Sequence, residues 1–148
     1  MSGNYVLPEG LPTPAPSIEG LGREFWEKTR EHKLTVQRCK NCGEWQWGPE
    51  LICHKCYSED LYYQEVDGRG RIYSWQRVWH PAHPALREAV PYVIVLIELD
   101  APKGIRMVGN IVGDPRQEIK FGANVEAVFE DHNSATPPFT LVQWRLVK

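Results

Sequence analysis

All four cysteines of this chain fall within residues 39–56, as the pairs Cys39-x2-Cys42 and Cys53-x2-Cys56. Two residues between paired cysteines let both sulfurs converge on one centre while the backbone turns around it. Gly43, one past the first pair, supplies the positive φ that such a knuckle often needs. Two knuckles joined by a short connection that carries the β-prone Trp45 and Trp47 predict a zinc ribbon. Its ion is expected at a closed, tetrahedral site made by Cys39, Cys42, Cys53 and Cys56. Four thiolates leave no position for water, so Zn²⁺ is expected in a structural role, and iron suits the same geometry. The competing arrangement is a pair of disulfides. The first residues, Met1 to Val6, carry neither a basic segment nor an apolar run, so a reducing cytoplasm is expected, and metal is preferred over disulfides. His32 and His54 are expected to be solvated or to stand behind the thiolates.

With 148 residues, the chain can bury a core of useful size as one domain or as a small module fused to another. Hydrophobic residues make up 42% and charged ones 24%, a soluble composition. No apolar stretch approaches the roughly 20 residues of a membrane helix, and the best, Tyr92 to Leu99, is strand-length. A formal net charge of −2 argues against a phosphate-binding surface spread over the whole molecule.

Residues 1–17 are rich in proline and read as an extended arm, disordered or laid along a partner. Residues 18–33 predict a helix with Leu21, Phe25 and Trp26 on one side and charged residues on the other. That stripe either covers the protein's own core or presents Phe25 and Trp26 to another protein. Residues 34–65 form the ribbon, bracketed by strands at Leu34 to Arg38 and Leu61 to Val66. From 66 to 148 the pattern is β: strands at Arg71 to Trp79, Tyr92 to Leu99, Ile105 to Val112, Val125 to Glu130 and Phe139 to Val147. The glycines of Gly68-Arg69-Gly70 suit a bulge or tight bend. Five strands with no confident helix among them predict a small closed barrel of the OB type, with a β-sandwich fragment as the alternative.

The chain lacks a nucleophile elbow, a phosphate-cradling loop and a His-Glu-x2-His element. His80 and His83 in the proline-rich loop have no flanking carboxylate and are a weak acid/base or metal signal. Tyr73, Trp75 and Trp79 are expected on one strand face, where single-stranded nucleic acid could stack. Such binders also need a basic groove, and here arginines are offset by an acid excess, so nucleic acid is the lesser reading.

Taken in order, Phe25-Trp26, Cys39-x2-Cys42-Gly43, Pro49 before Cys53-x2-Cys56, Gly68-Arg69-Gly70-x2-Tyr73-Ser74-Trp75, Pro91-Tyr92, Glu98-Leu99-Asp100 and Phe121-Gly122-x2-Val125 resemble a family of small proteins. These join a zinc ribbon to an OB fold and accompany thiolase-like enzymes, among them benzoylsuccinyl-CoA thiolase and the steroid side-chain aldolase. The resemblance implies a mainly β protein with an N-terminal helix, a rubredoxin-like ribbon and a five-stranded OB barrel. It further implies a cytoplasmic accessory subunit without catalytic residues of its own, bound to a thiolase-like partner that makes or breaks carbon-carbon bonds on acyl-CoA thioesters. Under it, Phe25, Trp26, His80 and His83 are candidate partner contacts, and Arg38, Lys40 and Lys55 beside the knuckles are candidate contacts to coenzyme A phosphates. One departure is visible. The family commonly carries Pro-Pro-Arg before the third cysteine and proline after it, whereas this chain has Gly48, Pro49, Glu50 and His54, which leaves the ligands intact but removes that arginine.

Overall fold

The fold, in a computed structural model, is described for residues 4–8, 11 and 13–148. A 3-10 turn at Gly20–Gly22 leads into helix α1, Arg23–Arg30. Strands β1 (Leu34–Cys39), β2 (Trp45–Gln46) and β3 (Leu61–Val66) form an antiparallel sheet in the order β2-β1-β3. Strands β4 (Arg69–Val78), β5 (Tyr92–Leu99), β6 (Arg106–Asn110), β7 (Asn124–His132) and β8 (Phe139–Leu146) form a second sheet in the order β6-β5-β4-β7-β8. Its two edges meet where Ile111 bridges Trp144 and the Val112 amide donates to the Trp144 carbonyl at 2.9 Å. This is the OB barrel expected from the strand pattern. No helix among the described residues is long and apolar enough to cross a membrane.

The alternation of apolar residues along β5, which lies between β6 and β4, gives the strand one face turned to the core. Val93, Val95, Ile97 and Leu99 all face the core and are at most 2% exposed. Leu34 and Val36 of β1 and Phe25 of α1 join the same cluster, so helix, ribbon and barrel share one core. At Gly70 a Cβ would stand 2.6 Å from the Glu98 carbonyl oxygen, and glycine is what lets β4 and β5 cross so closely.

The bulge in β4 lies at Tyr73 and not at the glycines, because the register slips between Ile72↔Ile97 and Ser74↔Leu96. One extra residue reverses the side-chain parity that a regular strand would keep. Tyr73 is left exposed under the Arg106 guanidinium, 3.7 Å from its ring centroid, while Trp75 packs against the core cluster. The expectation that Tyr73, Trp75 and Trp79 form one stacking platform is thereby corrected. Trp79, beyond the end of β4, lies under Arg116.

The helix ends in a Schellman arrangement. The Lys33 amide donates to the Lys28 carbonyl, and the left-handed position, at φ 57°, is held by His32 instead of glycine. Its imidazole stacks on Phe129 and meets Asp131 at 2.8 Å, which offsets the backbone cost. Burial pushes the Asp131 carboxyl up, but the Thr140 hydroxyl, His32 and Arg30 outweigh it and hold the group below the usual carboxylate range. A depressed folded pKa gives stability that is present above the unfolded value of about 3.9 and is lost as pH falls through the folded one. Asp131→Asn should therefore show a shallower fall of urea midpoint below pH 5 than the parent, and parallel curves would contradict the assignment.

The arm was expected to be disordered or to lie on a partner, and Asn4 to Val6 of its described portion lie on the chain's own barrel. The Asn4 amide donates to the Phe129 carbonyl at 3.1 Å, the Tyr5 hydroxyl to the Asp131 carbonyl, and the Val6 amide to Glu130 at 3.3 Å. Residues 1–3, 9, 10 and 12 of the expected arm are outside the described residues.

Candidate metal centre

Strand β1 delivers Cys39 at its last residue, and the turn after it brings Cys42 back. The Gly43 amide donates to the Cys39 carbonyl and the Cys39 amide to Glu44, each at 2.9 Å. The second knuckle repeats this geometry, with the Tyr57 amide on the Cys53 carbonyl at 2.9 Å and the Cys53 amide on Ser58 at 2.8 Å. The equivalent left-handed positions are Gly43 at φ 75° and Tyr57 at φ 60°. Gly43→Ala should thus cost about 1 kcal/mol, and Tyr57→Gly should cost little or stabilise, as read from urea midpoints of the metal-loaded protein. The opposite ranking would mean that the two knuckles are not equivalent.

The four sulfurs lie within 4.8 Å of one another, with Cys39 and Cys56 3.6 Å apart and Cys42 and Cys53 3.6 Å apart. Sulfurs about 2.3 Å from a tetrahedral centre are about 3.8 Å from each other, so the set fits one ion, and the spacing is too long for S–S bonds. The side-chain amide of Asn41 donates to Cys56 Sγ and the Lys55 amide to Cys53 Sγ, each at 3.4 Å, and donors of this kind stabilise thiolates. The Asn41 donor, then the backbone at Ser58, pulls the Cys56 thiol down to about 6. At Cys42 the backbone at Glu44 pulls down, but burial and the three other sulfurs prevail and push the thiol up to about 12. Four adjacent sulfurs cannot all ionise without a cation among them. Among the described residues this is the one group of three or more candidate ligands found close enough to hold an ion.

Two buried glutamines, which carried no signal in the sequence, fix the connection between the knuckles. Gln46 donates to Gln37 at 2.8 Å and to the Ile52 carbonyl at 3.1 Å. Gln37 exchanges hydrogen bonds with Glu50 at 3.0 and 3.1 Å. The Gln46 side-chain oxygen also accepts from the His54 amide at 3.1 Å, leaving the imidazole 3.8 Å from Glu44 and not behind a sulfur.

The basic residues near the knuckles all have partners. The Arg38 guanidinium lies over Trp45, 4.6 Å from the ring centroid, and donates to the Gly43 carbonyl and to Gln64. Lys40 pairs with Asp60 at 3.4 Å and Lys55 with Glu44 at 3.0 Å. Of the apolar stripe on α1, Phe25 turns inward and is 8% exposed, its ring 5.1 Å from that of Trp47, while Trp26 is half-buried beside it. His80 and His83 are exposed. His83 Nδ1 accepts from the Ala85 amide and caps the turn Pro84–Leu86.

Two family models match the chain: the rubredoxin-like zinc ribbon domain of ChsH2 over residues 26–61 and the C-terminal OB-fold domain of ChsH2 over residues 63–130. A protein of Thermomonospora curvata named a probable enoyl-CoA hydratase alpha subunit is 34% identical over 132 residues, 89% of this chain and 39% of that protein. The benzoylsuccinyl-CoA thiolase subunit BbsA of Geobacter metallireducens is 27% identical over 81 residues, 55% of this chain and 51% of that one. The chain therefore spans well under two thirds of either relative. Among solved structures, a chain of the Ltp2-ChsH2(DUF35) aldolase superposes with a TM-score of 0.76 at 32% identity, covering 89% of this chain and 98% of that one.

Proposed function

This chain belongs to the ChsH2 (DUF35) family of proteins that join a rubredoxin-like zinc ribbon to an OB fold, and from that membership we propose that it is an accessory subunit of a thiolase-like acyl-CoA enzyme. In this reading the ion at Cys39, Cys42, Cys53 and Cys56 is zinc and holds the ribbon rigid, and the reacting groups belong to the partner. The chain binds that partner and supports carbon-carbon bond cleavage or formation on a CoA thioester.

What carries the reading is the near-complete coverage of a chain of the Ltp2-ChsH2(DUF35) aldolase at 32% identity, together with a relative named as a thiolase subunit. The chemistry of the site points the same way. A closed four-thiolate centre can brace a surface but leaves no ligand position at which a substrate could bind the ion. Docking would use the region around the half-buried Trp26 and the exposed Trp47, since aromatic anchors dominate interface energetics. Arg38, Lys40 and Lys55 are the candidate contacts to coenzyme A phosphates, and the two lysines are exposed enough to meet one beside their surface ion pairs.

Co-expression with a thiolase-like candidate partner from the same genome, followed by size-exclusion chromatography, tests the reading. A stable hetero-complex that elutes ahead of either protein alone is expected. Separate elution at micromolar concentration would count against it.

A further inference from the structure

Strand β7 pairs with β8 from Val125 to His132 but with β4 only from Asn124 to Glu126. The Ala127 amide still reaches the Gly68 carbonyl at 2.8 Å, and beyond that bond the chain ahead of β4 turns away into the ribbon. The next carbonyls on this edge of β7, those of Phe129 and Asp131, accept from the side chains of Asn4 and Tyr5. Residues 4–8 are not themselves a strand, so the arm caps the edge with side chains and adds no ladder. An edge left open is a template for pairing with another chain.

Beneath the arm lies a buried carboxylate. Glu130 is 4% exposed, and its Oε2 accepts from the Val6 amide at 3.3 Å and from the Gln143 side chain at 3.0 Å, while His132 Nε2 lies 2.8 Å from Oε1. The side-chain oxygen of Gln143, itself buried, accepts from the Asn110 amide at 2.9 Å, and the Asn110 side chain donates to the Val93 carbonyl at 3.0 Å. Asn110 ends β6 and precedes Ile111, whose bridge to Trp144 closes the barrel. An unbroken set of hydrogen bonds therefore runs from the arm to the seam. Beside it is a cavity of about 510 Å³, walled by Tyr5, Val6 and Pro8 of the arm and by Ile111 and Val112 of the seam. A buried carboxylate depends on its donors. With the arm gone, water reaches Glu130, and Gln143 loses the fixed partner that turns its oxygen towards Asn110.

We propose that residues 4–8 are a strap latched on Glu130, and that releasing it opens this cavity and loosens the barrel seam through Gln143 and Asn110. The strap has two states. In one the edge of β7 is capped, the cavity is closed and the seam is tight; in the other all three are undone together. Whatever takes hold of the arm thereby acts on the closure of the barrel without touching it. The inference rests on the arm's own contacts and holds whether or not the chain serves a thiolase-like enzyme.

Hydrogen exchange of the metal-loaded full chain, read at the Ile111 and Val112 amides that donate to the Val93 and Trp144 carbonyls, tests the coupling, and limited proteolysis reports the arm. Asn4→Ala combined with Tyr5→Phe removes the two side-chain donors of the strap and leaves the barrel core intact. The pair should make the arm cleavable and speed exchange at both seam amides up to about tenfold, the effect of one ordinary hydrogen bond, while Val95 and Ile97 in β5 keep the parent rate. Gln143→Leu breaks the connection, so the seam should exchange fast from the start and the arm pair should then add less than about twofold. Arm cleavage unchanged by the pair overturns the strap. A cleavable arm with seam exchange within about twofold of the parent overturns the coupling. An undiminished response in the Gln143→Leu chain overturns the route through Gln143, and where that chain does not fold the arm pair alone decides.

Discussion

Stripping the ion from the four-cysteine site with a strong chelator will unfold both knuckles and the connection between them. Binding of a structural zinc by such a site supplies on the order of 10–16 kcal/mol, as much as the whole stability of an ordinary domain. Without it, little holds the segment. Leu51 and Ile52 in the connection are exposed, β2 is two residues long, and of residues 43–52 only Gln46 is buried. Strand β1 should partly survive, since Leu34 and Val36 belong to the shared core and β1 pairs with β3 over six residues. Hydrogen exchange read at the Gly43 and Tyr57 amides will show protection lost there and kept in β5, and all four thiols will become reactive towards a thiol reagent. Cys53→Ser should reproduce the effect. Knuckle amides that stay protected after the ion is gone would mean that packing and not coordination holds the ribbon.

The second large effect is expected at the seam of the barrel. Trp144 is fully buried, faces Gly109 and sits where β8 meets the end of β6 through the Ile111 bridge. Trp144→Ala removes the largest fully buried side chain and leaves a cavity that the two edges cannot collapse without breaking the bridge, a cost of about 3–5 kcal/mol. That is a large share of the stability of a domain of this size. Trp79→Ala, at a residue that is 56% exposed, should change stability by no more than about 0.5 kcal/mol. Urea unfolding of the metal-loaded protein at unchanged slope gives both values. A loss below about 1 kcal/mol at Trp144 would mean that the seam is closed by something else.

The metal centre was legible because a Cys-x2-Cys pair can be read locally, and two such pairs with no other thiol present leave few alternatives. The barrel strands were legible for a related reason: period-2 burial, as along Val93, Val95, Ile97 and Leu99, is written into the chain. What could not be read depended on contacts between distant residues. The placement of Asn4, Tyr5 and Val6 follows from acceptors on β7, more than a hundred residues away. The bulge at Tyr73 follows from how β4 meets β5, and a one-residue slip there turned Trp75 from a supposed stacking face to pack against the core. Phe25 and Trp26 are neighbours on a stripe that is equally consistent with an inner and an outer role, and only the packing of α1 on β1 and β8 decides that Phe25 turns inward. The glutamines at 37 and 46 look like ordinary strand polar residues until the connection they hold is folded against them.

The account's central claim is that this chain supports chemistry performed by another subunit, and a reconstitution assay tests it most directly. Carbon-carbon cleavage of a CoA thioester would be followed with the partner alone, with this chain alone and with the two together. The account predicts no turnover by this chain, weak or no turnover by the partner, and at least about tenfold more when both are present. Turnover by this chain alone at a rate that the partner does not change would contradict it.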